Sequence, residues 1–227
     1  MKWSKTKEEI RANDSWQVQR VYSELVLGFD KLTDIGPSIS IFGSARIKCD
    51  SIYYKMAEEI SEILSNKGFN ILTGGGPGIM EAANKGAQKG KGYSVGLGIK
   101  LPFEAQNNSF IHAGHNLTFN YFHVRKVMLI KYSQGFIVFP GGVGTMDELF
   151  EVITLNQCKK NEEFPIFLVG SEYWNGLLSW MKTSMLSEGC VKESDFDAFR
   201  VVDSVDEVVT SFDKFFLKYR KENKLNI

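Results

Sequence analysis

This chain of 227 residues has no excess of either charge: 27 basic residues face 27 acidic ones, and the two signs are interspersed. A nucleic-acid-binding face or a polybasic membrane tail needs a local surplus of lysine and arginine, so neither kind of partner is expected. Cysteine is scarce as well. Cys49, Cys158 and Cys190 are odd in number and widely spaced. They form no Cys-x-x-Cys, which argues against a disulfide framework and predicts reduced thiols in a cytoplasmic protein. Apolar runs are only a few residues long, too short to cross a bilayer. The opening stretch 1–9 lacks the apolar core of a secretory signal. Repeats, linkers and low-complexity segments are missing too. What remains, with 43% hydrophobic residues, suffices for one α/β domain over 1–227 with a sizeable core.

Apolar periodicity divides the chain into alternating elements. Residues 6–33 read as a helix opened by a Thr6-x-x-Glu9 capping box, with Val18, Val21, Leu25 and Phe29 on one face and Trp16 beside them. Such a helix, occupying 1–35, packs on the sheet or on a partner subunit. Short apolar runs at 38–42, 69–73, 93–99, 117–119, 136–139, 164–169 and 199–202 read as strands. Helical patterns begin near Ser51 and at Ile79, Phe122, Gly144 and Tyr173. A closing helix in 204–227 starts at a Ser204-x-x-Glu207 capping box, buries Val208, Phe212, Phe215, Phe216 and Tyr219, and frays into a tail at 218–227. Strands alternating with helices force a parallel sheet with right-handed crossovers. The expected fold is therefore a Rossmann-like three-layer α/β/α domain of about seven strands.

Three strand ends carry glycine-rich turns. Gly43-Ser44-Ala45-Arg46 follows the first strand, and Gly74-Gly75-Gly76-Pro77-Gly78 the second. Neither makes a dinucleotide fingerprint, and Gly90-Lys91-Gly92 is not a Walker A loop, because no Ser or Thr follows the lysine. The fifth strand runs into Pro140-Gly141-Gly142-Val143-Gly144-Thr145 and a helix whose first turn would hold Asp147 and Glu148. Free N–H groups at a helix start, approached through glycine, bind phosphate. Two acids beside that cradle point to chemistry on a phosphorylated substrate; the plain alternative is a strand-to-helix turn whose acids only cap the helix. His112 and His115 lack companions at ligand spacing, so no metal is expected. The plain alternative for Arg125 and Lys126 is an exposed basic pair. The apolar Tyr121, Phe122, Val127 and Ile130 around them argue that Arg125 enters a packed region, where it needs an anion.

Four ordered motifs carry a resemblance. They are Pro-Gly-Gly-x-Gly-Thr-x-x-Glu at Pro140 to Glu148; Gly74, Gly75, Gly76 and Gly78 with Met80; Leu101-Pro102-x-Glu104-x-x-Asn107; and His123-x-Arg125-Lys126. Over roughly 39–180 the chain resembles the Lonely Guy family of cytokinin-activating phosphoribohydrolases. That resemblance implies hydrolysis of the N-glycosidic bond of a nucleoside 5′-monophosphate, AMP or a cytokinin riboside 5′-monophosphate. It implies Glu148 and Arg125 as catalytic residues. Gly141, Gly142, Gly144 and Thr145, after Pro140, would hold the 5′-phosphate. Gly43, Ser44, Gly75, Gly76, Met80 and Lys126 would line the substrate site, and Glu104 would contact the substrate. Asp147, where many members have glutamate, would hold ribose hydroxyls, which leaves open which acid acts on water. No cofactor is implied. A homodimer or higher homo-oligomer is, with sites near the subunit contact. Members also carry the label lysine decarboxylase, but no lysine here has the context of a pyridoxal Schiff base. The rival reading is a non-catalytic carrier of a phosphorylated ligand such as a nucleotide or molybdenum cofactor. Which base is preferred, and whether cytokinin activation is the biological role, are left open.

Overall fold

The computed structural model of the protein describes residues 6–101, 107–158 and 164–223. In chain order the elements are α1 (Lys7–Leu32), β1 (Ser38–Phe42), α2 (Ile52–Asn66), β2 (Asn70–Thr73), α3 (Ile79–Lys89), β3 (Ser94–Ile99), β4 (Asn116–Phe119), α4 (Phe122–Lys131), β5 (Phe136–Val138), α5 (Val143–Gln157), β6 (Ile166–Val169), α6 (Ser171–Trp180), β7 (Arg200–Val202) and α7 (Val205–Asn223). A π-helical turn, Met181–Leu186, continues α6, and a 3₁₀ turn, Glu193–Ala198, precedes β7.

The seven strands form one parallel sheet in the order β4-β3-β2-β1-β5-β6-β7. Every residue of β1, β2, β5 and β6 is buried, as expected for strands covered on both faces. Alternate residues feed two separate cores. Phe42, Leu72, Val95, Phe136, Val138 and Leu168 pack toward α1, α4 and α5. Ile39, Ile41, Ile71, Ile137, Phe139 and Phe167 pack toward α2, α3 and α7. The three-layer Rossmann-like expectation is what the chain forms. The many small residues of α3 have a packing reason: a Cβ on Gly86 would overlap the Glu58 carbonyl, so α3 lies tight against α2.

Several local expectations need correction. Helix α1 has its Thr6–Glu9 capping box, with Thr6 N–H donating to the Glu9 carboxylate at 2.8 Å and Glu9 N–H to the Thr6 hydroxyl at 3.2 Å. Its apolar stripe, however, is not buried along its length. Trp16 (64%), Val18 (66%) and Tyr22 (69%) stand exposed, because only the second half of the helix lies over the sheet. Leu32 is buried there, and Gly28 admits the Met128 side chain of α4. In α4 the buried residues are Val124, Met128, Leu129 and Ile130, whereas Phe122 and Val127 are exposed. Helix α7 continues to Asn223, so 218–223 is not a frayed tail. Val208 and Phe212 are buried in it as expected. Its start is capped by the Ser204 hydroxyl, which accepts from Glu207 N–H at 3.2 Å, but the Glu207 carboxylate reaches back to Asp203 N–H at 2.8 Å, one residue before the cap.

Candidate functional site

The order of strands reverses at β1 and β5: β1 leads outward to β2 on one side, and the chain returns to β5 on the other. The crevice beyond the carboxyl ends of two such strands is where open α/β sheets receive ligands. The three glycine turns meet there. Ser44 N–H donates to the Pro140 carbonyl at 3.0 Å, and Ile79 N–H donates to the Ser44 carbonyl at 3.1 Å. Gly43 presses on the Ile79 side chain, and Gly78, at φ 69°, leaves no room for a Cβ beside the Ser44 carbonyl. Gly43 and Ser44 thus tie the other two turns together.

The turn after β2 is held from the far side. Asn108 donates through its backbone N–H to the Gly75 carbonyl at 2.8 Å, and through its side chain to the Gly75 and Gly76 carbonyls at 3.0 Å each. Gly75 N–H is taken by the Thr73 hydroxyl at 2.9 Å, and that hydroxyl donates to buried Asn84 at 2.7 Å. Met80 packs its thioether on Gly74 and Gly76. This network was not legible in the sequence; Asn84 and Asn108 belong to no motif.

The turn after β5 behaves differently. Gly142 caps α5 and brings no side chain to satisfy the first N–H groups, and Val143 beside it is 87% exposed. The donors at the start of α5 therefore open to the outside. Helix α5 begins at Val143, so Asp147 and Glu148 sit in its second turn rather than its first, and they are not capping residues. Thr145 is buried, with its side chain where a Cβ on Gly141 would have to be.

Two ion-pair systems cross from α4 to α5. Arg125 Nη2 donates to Glu148 Oε1 at 2.7 Å, with side-chain exposures of 11% and 13%. The same guanidinium lies 5.4 Å from the centre of the Phe122 ring, abuts Gly74, and keeps Nε buried without a partner. Burial pushes the Glu148 carboxyl up to about 7, against the pull of Arg125, and Asp147 adds to the rise. Outside this pair, Lys126 Nζ lies 3.0 Å from Asp147 and 2.7 Å from Glu151. Burial alone would lower the Lys126 ammonium, but its hydrogen bonds to Glu151 and Asp147 outweigh that and hold it above the ordinary lysine range.

Arg125, Glu148, the Gly74–Gly78 turn with Met80 and the Pro140–Thr145 turn therefore converge on one crevice, with Lys126 and Asp147 at its outer edge. Glu104 lies outside the described residues. His112 faces the sheet: its Nδ1 accepts from Ser94 N–H at 2.8 Å, and His115 stacks on Tyr93. Among the described residues, no three His, Cys, Asp or Glu side chains are grouped to hold a metal, and no helix is long and apolar enough to cross a membrane. Cys49, Cys158 and Cys190 are unpaired and exposed.

Residues 80–212, more than half of the chain, match the family described as "Possible lysine decarboxylase". A cytokinin riboside 5′-monophosphate phosphoribohydrolase of Arabidopsis thaliana is 28% identical over 173 residues, covering 74% of this chain and 79% of that protein. The bifunctional cytokinin biosynthesis protein of Fusarium pseudograminearum is 24% identical over 212 residues; the match takes in 85% of this chain but 43% of that protein, so the chain spans under half of its length. Among solved structures, the molybdenum cofactor carrier protein of Chlamydomonas reinhardtii superposes with a TM-score of 0.54 at 21% identity, over 80% of this chain and 98% of that one. At that identity the likeness is one of fold.

Proposed function

The chain belongs to the family described as "Possible lysine decarboxylase", the Lonely Guy family of its sequence motifs, and on that footing we propose that it hydrolyses the N-glycosidic bond of a nucleoside 5′-monophosphate. The products are the free base and ribose 5-phosphate. The observation that carries the reading is the nearly buried Arg125–Glu148 pair, 2.7 Å apart, beside the open N-terminus of α5. Binding a phosphate needs only the second of these features. An acid poised near 7 beside it is suited to proton transfer at neutral pH.

In this reading the 5′-phosphate meets the N–H groups at the start of α5, where the macrodipole and glycine favour close approach of an anion. The sugar then lies over α5, with its anomeric carbon toward Glu148. As the glycosidic bond lengthens, positive charge grows on the ring, and an ionised Glu148 stabilises it and takes a proton from the attacking water. Arg125 holds Glu148 in place and keeps part of its carboxyl ionised. The buried Nε of Arg125 leaves a donor for the departing base. In this reading Asp147, paired with Lys126 at the rim, holds a ribose hydroxyl while Glu148 acts on water. Lysine decarboxylation fits poorly at this site. A Schiff-base lysine needs a lowered pKa, and Lys126, the lysine at the crevice, is held above the ordinary range by two carboxylates.

The reading extends to assembly and place. The exposed Trp16, Val18 and Tyr22 of α1 suit contact with a second copy of the chain; light scattering at micromolar concentration checks this, and a monomeric mass would refute it. Unpaired, exposed cysteines suit a reducing cytoplasm. The decisive test of function incubates the protein with nucleoside monophosphates and the matching nucleosides, with chromatography for free base. Release from the monophosphates is expected to be much faster than from the nucleosides. Calorimetric binding of AMP with no base released from any monophosphate would replace the hydrolase with a carrier of a phosphorylated ligand.

A further inference from the structure

Tyr173 belongs to no motif of the sequence, yet its hydroxyl donates to the Gly141 carbonyl at 2.5 Å, across 32 residues of chain. It stands in the first turn of α6, which is held firmly. Gly170 N–H donates to the Val202 carbonyl at 2.9 Å, and Ser171 N–H to Asp203 Oδ1 at 2.7 Å. The next residue, Trp174, is fully buried, donates its indole N–H to the Val169 carbonyl at 3.0 Å, and meets the Tyr173 ring edge-on with centroids 4.9 Å apart. The phenol is therefore a fixed post reaching from α6 to the turn after β5.

What it holds is the glycine–glycine peptide of that turn. Gly141 and Gly142 have no Cβ to resist rotation of the peptide between them. In a trans peptide the carbonyl of one residue and the N–H of the next point to opposite sides, and no cis bond occurs among the described residues. Fixing the Gly141 carbonyl toward α6 thus turns the Gly142 N–H the other way. The preceding peptide is pinned by the same logic, because Ser44 N–H holds the Pro140 carbonyl at 3.0 Å. If the glycine peptide flipped, it would aim a carbonyl oxygen where the N–H had been, and an oxygen repels an anion.

We infer that Tyr173 is a positioning residue for the phosphate: its hydroxyl locks the Gly141–Gly142 peptide so that the Gly142 N–H is presented to the anion together with the free N–H groups of α5. The inference rests on the phosphate reading of this turn, and the experiment separates the two. Tyr173→Phe keeps the ring against Trp174 and removes the hydroxyl alone. KM for AMP should rise roughly 2- to 12-fold, the worth of one neutral hydrogen bond, with kcat little changed, the pattern of lost uniform binding. The kcat/KM for adenosine should not move, so the preference for monophosphate over nucleoside shrinks by the same factor. Calorimetric AMP titration gives the same ratio without turnover. If Tyr173→Phe keeps the wild-type preference, or loses AMP and adenosine binding equally with a lower Tm, the positioning role is overturned. If the wild type itself shows no preference for AMP, the phosphate reading has failed instead.

Discussion

Arg125 and Lys126 are adjacent, carry the same charge and both cross from α4 to α5, yet they build opposite kinds of site. Arg125 turns inward to a single carboxylate, and the pair is almost closed off from water. Lys126 turns outward to Asp147 and Glu151, and Asp147 is 55% exposed. Neighbours on a helix point about 100° apart, whereas residues four apart share a face. Asp147 and Glu151 therefore fall to the same lysine, and Glu148 is left for the arginine. The difference in environment then sets the chemistry. Asp147, open to water, is screened and costs little to keep charged. In the crevice, burial raises the Glu148 carboxyl to about 7 even with a guanidinium in contact, which lets it change protonation near neutral pH.

Breaking the inner pair should have the largest effect. Glu148→Gln keeps size and hydrogen bonding but removes charge and basicity, so kcat should fall on the order of 10²–10⁴-fold, the usual range for a general base. AMP affinity should hold within a few-fold, since the turn after β5 is untouched. Full activity in this variant, checked by base release beside calorimetric titration, would transfer the role to another acid. Arg125→Ala should also abolish most turnover, and should in addition weaken AMP binding roughly 10- to 100-fold, the worth of a hydrogen bond to a charged group. Affinity equal to that of Glu148→Gln would show that the arginine serves only its carboxylate.

The pH profile comes next in size. A base must be ionised, and Glu148 ionises above about 7. With a midpoint there, kcat/KM should climb roughly 30-fold from pH 5.5 to pH 8.5. A profile flat across that window would refute the assignment. The smallest effects should come from the outer system. Asp147→Asn should cost stability no more than about 1 kcal/mol by thermal unfolding, because Asp147 is the exposed member of its ion pair. Nor should it lower kcat by more than roughly fivefold, which corresponds to a loss of about 1 kcal/mol of transition-state stabilisation. A loss in Asp147→Asn that rivals Glu148→Gln would erase the contrast between the two systems.

Much of this was legible in the sequence. The turn from Pro140 to Thr145 and its helix could be read because strand, glycine and helix start are consecutive in the chain. Arg125 could be read by its motif and its apolar neighbours, although of these only Phe122 is found against the guanidinium. Val127 is exposed, and Gly74 and Glu148 complete the cover with the Phe122 ring face. The placing of Asp147 and Glu148 in the first turn failed for a local reason: α5 starts one residue earlier than the glycines suggest. How much of α1 the sheet covers was not legible either, since periodicity reports that a helix has an apolar face but not what lies opposite it.

By itself the sequence determined the layer architecture, because buried parallel strands and amphipathic helices each have a period that their residues must follow. It also determined the glycine turn, because only glycine tolerates the close approach of Thr145 at Gly141. Which acid faces inward, that Asn108 closes one turn, and that Tyr173 holds another were decided only by the tertiary structure. Those contacts join residues 23, 33 and 32 positions apart. Their partners are set by how the loops after β2 and β3 and the helices α4, α5 and α6 settle on a common sheet, and no spacing along the chain encodes that placement.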